Sequence, residues 1–236
     1  MSGASVEGLR ARLVDVERAI DGGTYRPGPW AAIVRQAGAL PREERLALEA
    51  DVSRVSDKLH RRNHPGRKVG VRLGVVLELI GTADGLVGLY LGLRWDFALL
   101  VAVSTFVMCA TLQPLVKMMV GRLLGVRYSY FYLHFILEPR VKMRYGTYLA
   151  LSTTGRVIVH FAGMIGSPGA FLVVAPFIAG RMPITASICT GIGWGFVGLN
   201  LMFFVLAFAG VRRVEQLFSG GAAAREIRNS FRARTA

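Results

Sequence analysis

The chain has 236 residues, is 53% hydrophobic and carries a formal net charge of +14. A soluble domain of that length would mix apolar and polar positions throughout. Here residues from about 71 to 211 gather into long apolar blocks, as in helices that need ~20 apolar residues to cross ~30 Å of hydrocarbon. The basic residues flank those blocks and do not interleave with exposed aromatics, so they are read as membrane-orienting charge and nucleic acid is excluded as a partner.

Residues 1–70 predict a small cytoplasmic region of amphipathic helices. Val6, Leu9, Leu13, Val16 and Ile20 recur at helical spacing and stop at Asp21-Gly22-Gly23. A linker with two prolines follows. A short helix is expected around Trp30, Ile33 and Val34, up to Gly38. Pro41 suits a first helical position. Leu48, Val52, Val55 and Leu59 then form one stripe, which should end near Pro65 and Gly66. The region is too short to bury a large core alone. No signal peptide is expected, since the first apolar block begins only near residue 71.

The basic run "KLHRRNHPGRK" precedes that block. His60 and His64 are four apart, but no third ligand is nearby and a proline follows. Arg61, Arg62, Arg67 and Lys68 therefore read as a patch against anionic membrane lipid, with no metal.

Four spans are predicted, at about 71–93, 97–119, 157–180 and 184–211, with a polar interfacial segment at 120–156 and a basic tail at 212–236. Arg181, Met182 and Pro183 make the last two spans a tight hairpin. Basic residues cluster before the first span, in the middle segment and after the last span. The positive-inside rule then puts both termini in the cytoplasm of what reads as a bacterial cytoplasmic (inner) membrane. Trp95 fits an outer interfacial anchor. Gly81, Gly85, Gly88 and Gly92 in the first span favour close helix approach. Cys109 and Cys189 lie in apolar blocks without paired spacing and read as reduced core residues.

Polar side chains inside spans are costly and therefore informative. The spans hold Glu78, Asp84, Gln113, Lys117, His160 and Asn200. Counting ~1.5 Å per residue puts Glu78 and Gln113 at similar depth, Lys117 and His160 about a turn shallower, and Asp84 near the midplane. Glu78, Gln113, Lys117 and His160 are thus expected to converge in the inner third of the bundle. Glu78 would pair with Lys117, while Gln113 and His160 would hydrogen-bond between helices. The alternative use of Glu78, Asp84, Lys117 and His160 is a small transporter or proton-coupled channel.

Period-two alternation of Tyr128, Tyr130 and Tyr132 predicts a short strand at headgroup depth. "HFILEPRVKMRYGTY" would return as its hairpin partner, turning at Glu138-Pro139. The expected fold is mainly α: a four-span bundle with an interfacial β-hairpin.

Three stretches carry a resemblance. "QPLVK" is Gln113–Lys117, "GRLLGVRYSYFYL" follows it, and "GRVIVHFAGMIGSPGAF" is Gly155–Phe171. In that order they resemble the site-2 protease family of intramembrane zinc metalloproteases. The likeness covers about residues 97–210. The family's zinc motif is His-Glu-x-x-His, followed by a Gly-Val step, membrane-associated strands and the next core helix. Here Gln113 and Lys117 stand in place of the two histidines and Pro114 in place of the general-base glutamate. The family's third ligand is a late aspartate, and this chain has none after Asp96. Zinc hydrolysis needs those ligands, so the resemblance implies a pseudoprotease with no catalytic residues, metal or cofactor. It also implies that Tyr128, Tyr130 and Tyr132 hold a partner segment by strand addition. The residues name no nucleophile–base pair of another kind. The expected function is a non-catalytic subunit that binds another membrane protein or complex.

Overall fold

The computed structural model describes residues 5–26, 28–134, 138–211 and 219–235. Four helices open the chain: α1 (Val6–Asp21), α2 (Pro29–Ala39), α3 (Arg42–Ala47) and α4 (Glu49–Asn63). Ser5 caps α1 by accepting from the Gly8 amide at 3.1 Å. The expected helix from Pro41 is two pieces, bent at Leu48, and α4 stops before Pro65. Leu9, Leu13, Val16, Ile33, Ala37, Leu48, Val52 and Val55 form one buried core. Leu149 completes it, so this helical region depends on a residue far along the chain for closure.

A three-residue strand, β1 (Lys68–Gly70), leads directly into α5 (Val71–Arg94). Next come α6 (Ala98–Leu123), β2 (Tyr128–His134), β3 (Glu138–Met143) and α7 (Tyr145–Ala150). The chain ends with α8 (Thr153–Ile178), α9 (Pro183–Phe208) and α10 (Ser219–Thr235). Helices α5, α6, α8 and α9 are each long and apolar enough to cross a membrane. Gly125, at φ 92°, lets the chain leave α6 and enter β2.

Helix α6 packs along α5 on one side and α8 on the other, and α9 packs on α8. Glycines set the α5–α6 distance, as their spacing predicts. A β-carbon on Gly81 would stand 2.8 Å from Thr111 Cγ2, and one on Gly92 2.7 Å from Val101 Cγ2. Thr82 and Thr111 hydroxyls add a hydrogen bond of 2.9 Å at this seam. Between α6, α8 and α9 the buried side chains include Met108, Cys109, Phe171, Val174, Ile178 and Cys189. At the end of the bundle away from the sheet, Arg181 donates to both carboxylate oxygens of Asp96, at 2.6 and 3.3 Å.

The sheet is antiparallel with order β1-β2-β3. The sequence reading foresaw a hairpin of two strands and missed β1, because "KVG" is too short to show a period. Glu138 and Pro139 pair with His134 and Leu133, so they belong to the strand; the turn itself lies outside the described residues. The C-terminal segment is also not a plain basic tail. Helix α10 packs against α8 and α9. The Gly220 backbone abuts the Asn200 carbonyl, and Arg228 donates to the Ala207 carbonyl at 2.6 Å.

Candidate functional site

Three sets of polar groups stand out, and they are separate. The first is the predicted cluster on the long helices. Gln113 sits where α6 meets α8: a β-carbon on Gly166 would stand 2.8 Å from Gln113 Cα. The Gln113 side chain forms no hydrogen bond among the described residues. Glu78 is 6% exposed against α6, and its carboxylate has no hydrogen bond or ion pair among the described residues. The expected Glu78–Lys117 pair is therefore not formed. Depth alone does not bring the two together: α5 turns its glycines and Glu78 toward α6, and the carboxylate meets no cation there among the described residues.

His160 does not bond to Gln113 either. Its Nε2 lies 2.8 Å from the Tyr148 hydroxyl, and the two rings meet edge to face at 5.6 Å. Its Nδ1 is buried without a partner among the described residues. One turn before it, Arg156 pairs with buried Glu226 of α10 at 3.0 Å. Arg225 approaches the same carboxylate at 3.4 Å. The Tyr148 pKa is pushed well up, chiefly by burial and also by Glu226 and Tyr145. The sequence reading missed Tyr148, Arg156 and Glu226 as one unit. The available signal was a glutamate beside small residues in "GGAAARE", which let a helix approach closely.

The second set joins the N-terminal helices to the sheet. Tyr130 is 5% exposed, and its hydroxyl lies 2.9 Å from His60 Nδ1. Arg61 and Lys68 lie over its ring at 5.6 and 6.0 Å, while Arg62 lies over Tyr25. Tyr132 packs edge-on to His60. Thus His60 and His64 stack among tyrosines, and part of the basic patch is folded onto them; Arg61, Arg62 and Arg67 remain exposed. Burial first, then the Asp57 charge, pushes the Tyr130 pKa up to about 12. Ser129 donates to Asp57 at 2.8 Å, and Lys142 donates to Ser56 at 2.7 Å. Burial lowers the Lys142 pKa to about 8, opposed by Asp57.

This arrangement corrects the expectation for the tyrosine strand. Strand β2 is central: β1 pairs with Tyr130–Tyr132 on one edge and β3 occupies the other. Along Tyr130–Tyr132 both edges are therefore already paired. Both faces of β2 are covered as well. Tyr130 faces α4, and the Phe131 ring lies against Gly74 of α5. Tyr128 is buried and donates to the Lys117 carbonyl at 3.1 Å.

The third set is a single residue. Asp84 is exposed, on the flank of α5 one turn from Gly81 and from Gly88, the two glycines that pack on α6. Leu77, Ile80 and Val87 share that side and are 51%, 52% and 57% exposed. Asp84 forms no hydrogen bond or ion pair among the described residues. Its position is 13 residues after Val71 and 10 before Arg94, or ~20 and ~15 Å along the axis. A carboxylate midway along an uncovered apolar face is the feature least explained by internal packing.

Comparison with known protein families, with curated proteins and with solved structures gives no match for this chain.

Proposed function

We propose that this is a non-catalytic integral membrane protein, site-2-protease-like in plan, that binds another membrane protein as a subunit of a complex. The observation that carries the reading is Asp84, exposed near the middle of the apolar face of α5. An ionised side chain at the centre of a bilayer costs ~2.5–3.5 kcal/mol. A face with that penalty is stabilised by a neighbouring span and not by lipid.

The protease-like plan is supported by the order α6, strands, α8, and by the close approach of Gln113 to Gly166. Gln113, Pro114 and Lys117 offer no zinc ligand set, which supports a binding role over hydrolysis. In this reading the sheet, α7 and the N-terminal helices lie on the cytoplasmic side, where Arg127, Arg140, Lys142 and Arg144 cluster. The exposed Arg61, Arg62 and Arg67 would there meet anionic headgroups.

The test is purification from the native membrane in mild detergent, with a photo-crosslinking residue at Val87. A stoichiometric, crosslinked membrane protein is expected. One equivalent of tightly bound zinc, together with a proteolytic activity lost in Gln113→Ala, would overturn the reading.

A second reading is proton-coupled transport. It is favoured by Glu78, buried between α5 and α6 without a hydrogen bond or ion pair among the described residues. Proton flux in vesicles that is abolished by Glu78→Gln would support it; vesicles as tight as protein-free ones would exclude it.

A further inference from the structure

We infer that the outward face of α5 receives a span of a different protein, and that this span carries a lysine or arginine at mid-depth that pairs with Asp84. The inference rests on the binding-subunit reading and adds the chemistry of the partner.

Three observations lead to it. First, Asp84 forms no hydrogen bond or ion pair among the described residues, so its carboxyl group is left for something outside the chain. Second, its depth cannot be escaped. Lysine and arginine reach the interface on long stems, whereas aspartate has one methylene and lies ~15 Å from the nearer end of α5. Third, the surrounding face is apolar and uncovered: Leu73, Leu77, Ile80 and Val87 are all more than half exposed. A helix laid along them would bring one side chain opposite Asp84. Charge complementarity makes that side chain a cation.

A second copy of this chain does not supply it. Within the four long helices, Arg72, Arg94, Arg122 and Arg156 lie near helix ends, and Lys117 is the lysine or arginine farthest inside. Gly85 packs on Met108, so Asp84 lies at the level of Met108. Lys117 is nine residues further along α6, ~13 Å away in depth. A parallel neighbour would therefore place its lysine well below Asp84, and two Asp84 side chains facing each other would repel. The occupant is a heterologous span.

The experiment uses the full chain in phosphatidylcholine vesicles with labelled 24-residue polyleucine peptides, read by energy transfer. One peptide has a central lysine, one a central aspartate and one leucine throughout. The lysine peptide is expected to bind at least about tenfold more tightly than the leucine peptide. Asp84→Asn and Asp84→Leu should erase that difference, and Asp84→Lys should transfer it to the aspartate peptide. Thermal unfolding should stay nearly unchanged in these variants, because Asp84 is exposed and forms no hydrogen bond or ion pair among the described residues. Equal binding of the lysine and leucine peptides would overturn the inference. So would a lysine preference that survives in Asp84→Asn or Asp84→Leu, or energy transfer between two copies of the chain that depends on Asp84. Crosslinking from Val87 in the native membrane separates the two levels of the argument. A captured span without a base at that depth leaves the subunit reading standing and overturns this one. No captured protein overturns both.

Discussion

Gly166 of α8 lies directly against the backbone of Gln113 of α6, so closely that a β-carbon would stand 2.8 Å from Gln113 Cα. That contact fixes how near the two central helices stand. Gly166→Leu is expected to cost about 1–3 kcal/mol by overpacking, seen as a lower midpoint of thermal unfolding in detergent. Gly169, three residues on, has open space at its β-carbon. Gly169→Ala should be neutral or stabilise by about 0.5 kcal/mol. Equal effects at the two positions would count against the packing described.

Glu226 pairs with both Arg156 and Arg225, and it is 6% exposed at its side chain. Removing one member of a buried pair leaves an uncompensated charge and costs ~3–5 kcal/mol. Glu226→Ala should therefore release α10 from α8 and α9. Hydrogen exchange over residues 220–228 measures this directly, with faster exchange expected. Arg156→Met in the same background should recover part of the loss.

Much of this architecture was legible in sequence, and the reasons differ by element. The four long helices announced themselves through unbroken apolar runs. Their observed bounds fall within a few residues of those expected, the largest differences being at the sheet-side ends of α6 and α8. The glycine seam of α5 was also legible, since small residues at spacing four have few other uses in an apolar helix. What the sequence hid was rotation. Glu78 and Lys117 have suitable depths, but depth says nothing about which way each helix turns, and the two do not pair. The same limit hid the exposure of Asp84. Long-range pairings were equally silent: β1 has three residues and no period, and Tyr148–His160 joins a six-residue helix to the start of a span.

Lys142 gives a pH signature to the docking of α4 on the sheet. Its pKa is lowered from 10.5 to about 8 by burial. Between those values the unfolded chain binds more protons than the folded one, so stability rises with pH across that window. Below about pH 8 the cost of burying the charge is fully present. Thermal midpoints measured from pH 7 to 10.5 should rise in the wild type, and the rise should flatten in Lys142→Met. A wild-type midpoint that falls across this range would contradict the assignment.

The Arg181–Asp96 pair offers a contrast. Its side chains are 55% and 61% exposed, and exposed pairs contribute ~0–1 kcal/mol. Arg181→Ala should hardly move the unfolding midpoint. Asp96 itself has φ 53°, a conformation that glycine adopts freely and branched residues do not. Asp96→Gly should be tolerated, while Asp96→Val should cost about 1–2 kcal/mol. The same unfolding series separates the effect of the charge from that of the backbone.

Strand β1 ends at Gly70 and α5 begins at Val71, with no residue between them. The joint has no slack. A twist of α5 about its own axis cannot be absorbed in a loop; it becomes torque on the pairing of Lys68–Gly70 with Tyr130–Tyr132. Tyr130 is bonded in turn to His60 of α4. The helix bearing Asp84 is thus joined to the N-terminal helices through one short strand and no loop.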